Sequence, residues 1–454
     1  MNEKVKFGAA LGGGFAIAAG AWFATRTYLD PAHHLPGPWT EPQLAVWFVL
    51  AAVGIGVLAY SFEFSRRNLQ RIAGVVVLLG GLISALGYSG AQKVAENAEM
   101  IDRLERRVAE LKREVEGAEE LLRAGDEKAA EVVQLKTEEA ALLQGEIDRM
   151  RQNPAFARSN VFSVLNRHGE YGIVCIGAGL LILAGGIDLS VGSVVGLAAV
   201  LFGVLMENHL HPFLALLVVL AGGVAAGLLH GLLVTQLRMQ AFLVTLCGMF
   251  VYRGLARTIT PGSTGMVTVQ AIWPEFEGPL KSLRLWLTGI GLDERLGFPA
   301  EFVLMLVLGA VAAIFLHRSA FGRYWYAIGY NEQAARYAGV TVWRHKVAVF
   351  CVCSLLAALA GVIRFLSAGS VAPSSEGQSY ELYAITAAVL GGVSLKGGEG
   401  TAVGMVLGAM VLPVVNTLMN FTDCPSAWEP WIIGLILLFG TIADELIRRS
   451  KGGR

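Results

Sequence analysis

Charge is scarce in this chain. Of its 454 residues only 16% are Asp, Glu, Lys or Arg, where a soluble domain carries about 25%. In place of charge stand apolar residues, 54% of the total, and they come in long blocks instead of periodic stripes. A block of about 18 or more such residues reads as a membrane span. Water would not tolerate many of them, so a soluble protein is excluded and an all-α, polytopic membrane protein is expected. The chain also lacks a Gly-x-x-x-x-Gly-Lys-Ser/Thr phosphate loop, which excludes ATP binding by that route. Cysteine is rare: Cys175, Cys247, Cys351 and Cys353 lie in apolar runs and Cys424 in a loop, none at metal-ligand spacing. They read as small apolar residues. No metal site, no cofactor, no catalytic residue and no nucleic-acid partner is expected, and the chain is not read as an enzyme.

Apolar runs fall at about 5–24, 44–62, 72–90, 171–187, 190–206, 213–235, 240–257, 301–317, 346–366, 380–394, 402–419 and 430–446, which makes about twelve spans. The first follows Lys4 and Lys6 and reads as an uncleaved span, because further spans follow it directly. The segments around 187–190 and 380–394 are short enough to be broken or re-entrant. Basic residues mark the cytoplasmic face. Arg66, Arg67, Arg71, Arg238, Arg318, Arg323, Arg336, Arg344, Lys346, Lys396, Arg448 and Arg449 all fall on one side. The loops near 207–212, 367–379 and 420–429 hold no Lys or Arg. This predicts cytoplasmic termini and places 258–300 outside.

Residues 94–152 break the apolar pattern, with 16 acids and 10 bases. Ile101, Leu104, Val108, Leu111, Val115 and Ala118 alternate spacings of three and four, a heptad seam. The pattern pauses at Ala124-Gly125-Asp126, then resumes with Val132, Val133, Leu135, Leu142, Leu143, Ile147 and Met150. Two arms of similar length around a Gly-Asp turn predict an antiparallel helical hairpin, outside the membrane, serving as spacer, oligomer clamp or docking arm. The expected division is therefore 1–90, three N-terminal spans; 91–155, the coiled-coil hairpin; and 156–454, the core, with a cytoplasmic segment at 318–345.

Two stretches carry chemistry. In Gly185-Gly186-Ile187-Asp188-Leu189-Ser190-Val191-Gly192-Ser193 an acid sits at membrane depth beside a glycine-rich break. Asp188 and Ser190 could each cap the next helix, and an interrupted helix in a membrane lines either protein or a water-filled path. Asp188, Ser190, Gly192 and Ser193 are the candidates for the path. The second stretch runs from Phe321 to Val340 on the basic side. Asn331 is a good N-cap, and Glu332 to Ala338 suits a short helix ended by Gly339, a shape fitted to a partner's groove. Gly223, Gly227 and Gly231, and likewise Gly404 and Gly408, are spaced for close helix contact. His230 beside that stripe reads as a packed polar residue. Arg253 and Arg364 lie near span ends and read as snorkelling outward, with a role at an outer gate as the alternative.

From about 160 to 446 the chain resembles the permeases of monosaccharide ABC importers, of the ribose, xylose and galactose type. The resemblance is carried by Gly186 to Ser193, Phe321 to Val340, Gln240 to Leu246 with Arg253-Gly254-Leu255, and Tyr380 to Ile385 with Gly391 to Leu395. Departures from the family pattern occur at His230, Ala256, Tyr330 and Lys396. The resemblance implies a pair of permease subunits, a homodimer, in a bacterial inner membrane. It also implies an extracytoplasmic solute-binding protein and a separate ABC ATPase subunit. The ATPase would receive Phe321, Gly322, Arg323, Asn331, Glu332, Ala334, Ala335 and Gly339. Two other classes compete: an ion-coupled secondary transporter, which would need deep carboxylates where only Asp188 stands out, and a membrane scaffold or receptor built on the coiled-coil arm.

Overall fold

In the computed structural model the described residues are 98–123, 128–152, 158–260, 267–268, 282–284, 287–288, 300–421, 424–436, 438 and 442. The three spans expected within 1–90, the turn at 124–127 and most of 261–299 lie outside them. The structure is built from helices. Residues 98–123 form α1, followed by α2 (Lys128–Gln152), α3 (Arg158–Leu183), α4 (Val191–Glu207), α5 (Pro212–Thr235) and α6 (Ala241–Thr258). After them come α7 (Ala300–Arg318), α8 (Ala320–Tyr330), α9 (Glu332–Tyr337), α10 (Val342–Ala368), α11 (Tyr380–Leu390) and α12 (Ala402–Phe421). Two short strands, Val267–Thr268 and Ser370–Val371, pair antiparallel with Val267 opposite Val371.

In α1 the seam residues Val108, Leu111 and Ala118 are buried, at the spacing the sequence predicts. In α2 the seam differs from expectation. Ala129, Ala140 and Ile147 are buried, whereas Val132, Leu135 and Leu142 are exposed, Leu142 by 71%. The true seam advances through 129, 133, 136, 140, 143 and 147, again in threes and fours. Small alanines and Lys136 occupy positions where the sequence reading preferred the bulkier neighbours. Lys136 fits there because its ammonium pairs with Glu114 of α1, and Arg107 lies 3.7 Å from Glu139.

The large apolar cluster gathers α3, α4, α5, α7, α10, α11 and α12. Among the described residues α5, α7 and α10 are both long and apolar enough to cross a membrane; α4, α11 and the apolar part of α12 are shorter. At 1.5 Å per residue α5 and α10 reach about 36 and 40 Å, more than the roughly 30 Å hydrocarbon core. α11, with 11 residues, covers about 16 Å. It enters from a chain of turns at 373–379, and Ser379, at φ +67°, starts it from the left-handed region.

α10 lies at the centre, and glycines let its neighbours reach its backbone. A Cβ on Gly227 of α5 would stand 2.5 Å from Phe350 O, and one on Gly231 2.7 Å from Val347 Cα. The Gly223-Gly227-Gly231 stripe is therefore the α5 face that seats α10. Its neighbour Gly222 meets nothing within 4 Å. This pair makes a controlled test. Gly227→Ala should destabilise the folded protein by about 1–3 kcal/mol, as overpacking does. Gly222→Ala should be neutral or slightly stabilising, since alanine favours helix by about 1 kcal/mol. Thermal unfolding of the detergent-purified variants reads both, and equal melting temperatures would contradict this packing.

Candidate functional site

The helix break after α3 is a local consequence of two glycines and an aspartate. Gly185 takes φ +78°, and Gly186 N returns to Leu181 O, closing α3. Asp188 then turns back on the chain. Its Oδ1 accepts from Ser190 N at 2.7 Å and from the Ser190 hydroxyl at 2.6 Å. The Ser193 hydroxyl donates to Ser190 O at 2.7 Å. Neither Asp188 nor Ser190 caps α4 directly as the sequence suggested; Ser190 occupies the N-cap position, but its side chain accepts nothing from the helix. Asp188 instead satisfies the break itself, an Asx-type turn.

The other Asp188 oxygen faces His230 of α5, 3.8 Å from Nδ1, and neither atom has a hydrogen-bond partner. His230 Nε2 and the Tyr252 hydroxyl of α6 form a hydrogen bond at 3.1 Å. Gly192 is pressed against α11: a Cβ there would meet the Glu381 carboxylate and Gly377 O. Glu381 Oε1 in turn lies 3.8 Å from Arg253 Nη2 on α6. Asp188, Ser190, Gly192 and Ser193 thus adjoin a buried polar group drawn from α4, α5, α6 and α11. Arg253 points inward to Glu381, not outward.

A second polar group was not legible in the sequence. Glu170 and Glu301 are buried, as Asp188 and Glu381 are, so Asp188 is not the sole enclosed carboxylate among the described residues. Glu170 accepts from the Tyr380 hydroxyl at 2.6 Å. Arg364 Nε donates to Glu376 Oε1 at 2.8 Å, and its Nη1 lies 3.8 Å from Glu170 Oε2. Ser367 donates to Glu301, and the rings of Tyr171 and Tyr380 lie 4.8 Å apart. Arg364 does not snorkel; it is shared between two carboxylates.

The stretch from Phe321 to Gly339 folds as two short helices at an angle. Ser319 starts α8 by accepting from Gly322 N at 2.9 Å. Gly322 lies so close to Leu316 O that no side chain fits. Trp325 and Ile328 are buried, while Phe321, Tyr324, Tyr330 (79%) and Tyr337 (89%) are exposed. Asn331 Oδ1 accepts from Ala334 N at 3.0 Å and so starts α9, and Gly339 leaves it at φ +84°. Ala335 is buried with Ile328 and Val342, whereas Arg323 and Ala334 are exposed and Glu332 is half-buried. Glu332 bonds Lys346 at 2.5 Å and Arg336 at 3.0 Å. Partial burial raises its pKa, but the Lys346 hydrogen bond and the two positive charges outweigh that and hold it below the usual carboxylate value. The pair is therefore intact at neutral pH and is lost only as the pH falls through that lowered value.

Three backbones meet where α8 ends. Gly398 N donates to Leu183 O at 2.8 Å. Gly397 lies against Gly185 and Gly329, and a Cβ on Gly329 would stand 2.5 Å from Gly398 N and closer still to Leu183 O. The Tyr326 hydroxyl donates to Gly400 O at 2.8 Å. At Gly329 α8 therefore meets the end of α3 and the 391–401 loop backbone to backbone. The two loops also share a pattern: Gly185-Gly186-Ile187-Asp188-Leu189 beside Gly391-Gly392-Val393-Ser394-Leu395.

Interrupted apolar helices, a buried polar group at the interruption and an aromatic surface motif joined to it define a helical membrane permease. Comparison with known proteins gives the family. Residues 160–440 match the family described as "Branched-chain amino acid transport system / permease component". The ribose import permease protein RbsC of Escherichia coli (strain K12) is 34% identical over 293 residues, 64% of this chain and 87% of that protein. RbsC of Bacillus subtilis (strain 168) is 34% identical over 296 residues, with the same coverage. The autoinducer 2 import system permease protein LsrC of Enterobacter sp. (strain 638) is 36% identical over 299 residues, 66% of this chain and 82% of that protein. The chain belongs to this family of ABC-importer permeases. No solved structure matches it.

The junction at Gly329 makes a prediction. Gly329→Ala should separate α8 from the end of α3, because its Cβ would overlap Leu183 O and Gly398 N, and lower ATP-dependent uptake about tenfold or more, since about 1 Å of misplacement remote from a site can cost that much. Gly339→Ala, where nothing lies within 4 Å, meets only its own backbone strain and should cost less. Uptake into proteoliposomes at matched protein levels reads the difference; equal losses would contradict the junction.

Proposed function

We propose that this chain carries a monosaccharide, or a closely related small polar solute, inward across a bacterial inner membrane, using ATP hydrolysed by a separate ABC ATPase subunit. The observation that carries this reading is the exposed surface of α8 and α9. Tyr330 and Tyr337 stand out on a rigid, doubly capped turn whose far side rests on the helix break. Exposed aromatics around a fixed helix are what a partner's groove would grip. Phe321, Gly322, Arg323, Asn331, Glu332, Ala334, Ala335 and Gly339 form this docking element. Asp188, Ser190, Gly192 and Ser193 line the path. The sugar reading follows the ribose and autoinducer-2 relatives in preference to the amino acids in the family's description, because the relatives match over most of their length.

The active assembly in this reading is a homodimer of permeases fed by an extracytoplasmic solute-binding protein. Its units are residues 1–90, three membrane spans of which the third, 72–90, is the first helix of the permease core; 91–155, an extracytoplasmic hairpin inserted after it; and 156–454, the rest of the permease core. The chain crosses the membrane about twelve times, with both termini in the cytoplasm. The pairs Arg107–Glu139 and Glu114–Lys136 support the hairpin, since one partner advances along α1 as the other retreats along α2.

Two experiments test this. Glu332→Gln should leave membrane insertion intact and reduce uptake by about an order of magnitude, because it removes a charge-assisted contact that orients the docking helix. Uptake that is unchanged, or independent of ATP, would exclude the coupling role. A single cysteine at Glu120 in α1 should react with an impermeant thiol reagent added to intact spheroplasts. Reaction only after lysis would reverse the orientation.

A further inference from the structure

α10 is one unbroken helix of 27 residues, about 40 Å from end to end. Each end is tied by a charge. Near its start Lys346 holds Glu332 of α9 at 2.5 Å. Near its end Arg364 bonds Glu376 at 2.8 Å and approaches Glu170 of α3 at 3.8 Å. Glu170 also takes the Tyr380 hydroxyl at the first residue of α11. One guanidinium thus gathers α3, α10, the turn before α11 and, through Glu170, α11 itself.

Between its ends α10 is clasped by backbone. Gly361 lies against Val195 O of α4, and a Cβ on Gly177 of α3 would stand 3.3 Å from Cys353 Cα. The α5 glycine stripe covers another side. Close-packed faces of this kind shift as bodies and have little side-chain slack to absorb a displacement. A shift of Lys346 with α9 is therefore delivered to Arg364.

We infer that Arg364 is a positioning residue of the transport cycle: an outer latch whose grip on Glu170 and Glu376 is set by the α8–α9 segment through α10. A guanidinium suits the task, because its planar fork serves two carboxylates at once. A pair that is partly hydrated, with Arg364 a third exposed, can open at modest cost. Glu376 lies in the turn that reaches Gly196 of α4, so release of Arg364 frees a segment bordering the helix break. The inference rests on the coupling role given above to Glu332.

The test uses the full complex of permease, ATPase and solute-binding protein in nanodiscs, with ATP hydrolysis measured with and without loaded binding protein, and uptake measured in proteoliposomes. Arg364→Gln should raise basal hydrolysis and cut the stimulated-to-basal ratio on the order of five- to tenfold, with uptake falling alongside. Arg364→Lys, which keeps the charge and loses the fork, should recover part of the ratio. A merely structural clamp would lower the yield of complex and leave the ratio per complex unchanged, and that result would overturn the latch. Should Arg364→Gln not assemble, Glu376→Gln removes one arm of the latch and should move the ratio the same way; an unchanged ratio again overturns it. Lys346→Met combined with Arg364→Gln should be less than additive, and full additivity would break the link through α10. Coupled transport in Glu332→Gln would remove the reading beneath; uncoupled Glu332→Gln with wild-type behaviour at Arg364 would sink the latch alone.

Discussion

A helix end leaves carbonyls with no partner inside the helix. The bond from Gly398 N to Leu183 O answers that constraint at the end of α3, and much of the structure follows from it. It joins the last carbonyl of α3 to the loop after α11, so two interruptions complete each other. It requires Gly185, Gly397 and Gly398 in left-handed conformations, and it leaves a slot that only Gly329 fits. The end of the surface helix α8 is thereby seated on both breaks at once.

The same economy governs α10. Its neighbours approach through Gly177, Gly223, Gly227, Gly231 and Gly361, trading side-chain volume for backbone contact. In lipid, where apolar burial gives helices little reason to associate, close contact of this kind is what holds them. Polar pairing is then concentrated at the ends: Glu332 with Lys346 on one side, Glu170 and Glu376 with Arg364 on the other. A stiff helix between two charge pairs can both hold a shape and pass on a displacement.

Several features were legible because they depend on residues near one another in the chain. The α1 seam follows from its own heptads, and the Asn331 cap from one side chain and an amide three residues on. Of the apolar residues in α2, Val133, Leu143 and Ile147 lie on the seam, whereas helix phase turns Val132, Leu135 and Leu142 outward and places Ala129, Lys136 and Ala140 inward. Lys136 is acceptable there only because Glu114, 22 positions earlier, meets it. Glu170, Glu301, Arg364 and Glu381 escape a local reading for a related reason. Each lies near a predicted span end, where a charge ordinarily reaches water, and each meets its partner from another segment: Tyr380 for Glu170, Ser367 for Glu301, Glu376 for Arg364 and Arg253 for Glu381.

Sequence alone settled the solvent this protein lives in, the position of its helix break and the helix boundaries of the surface motif at 321–339, because composition, glycine pairs and caps act over a few residues. Tertiary structure decided which buried charges find each other, which glycines carry packing and which merely tolerate it, and that the motif and the break share one junction. Those outcomes depend on distances between segments far apart in the chain, such as Tyr326 with Gly400, 74 positions on, and Glu170 with Tyr380, 210 positions on. No local pattern records such a distance; it is set by how helices of fixed length and face come to rest against one another.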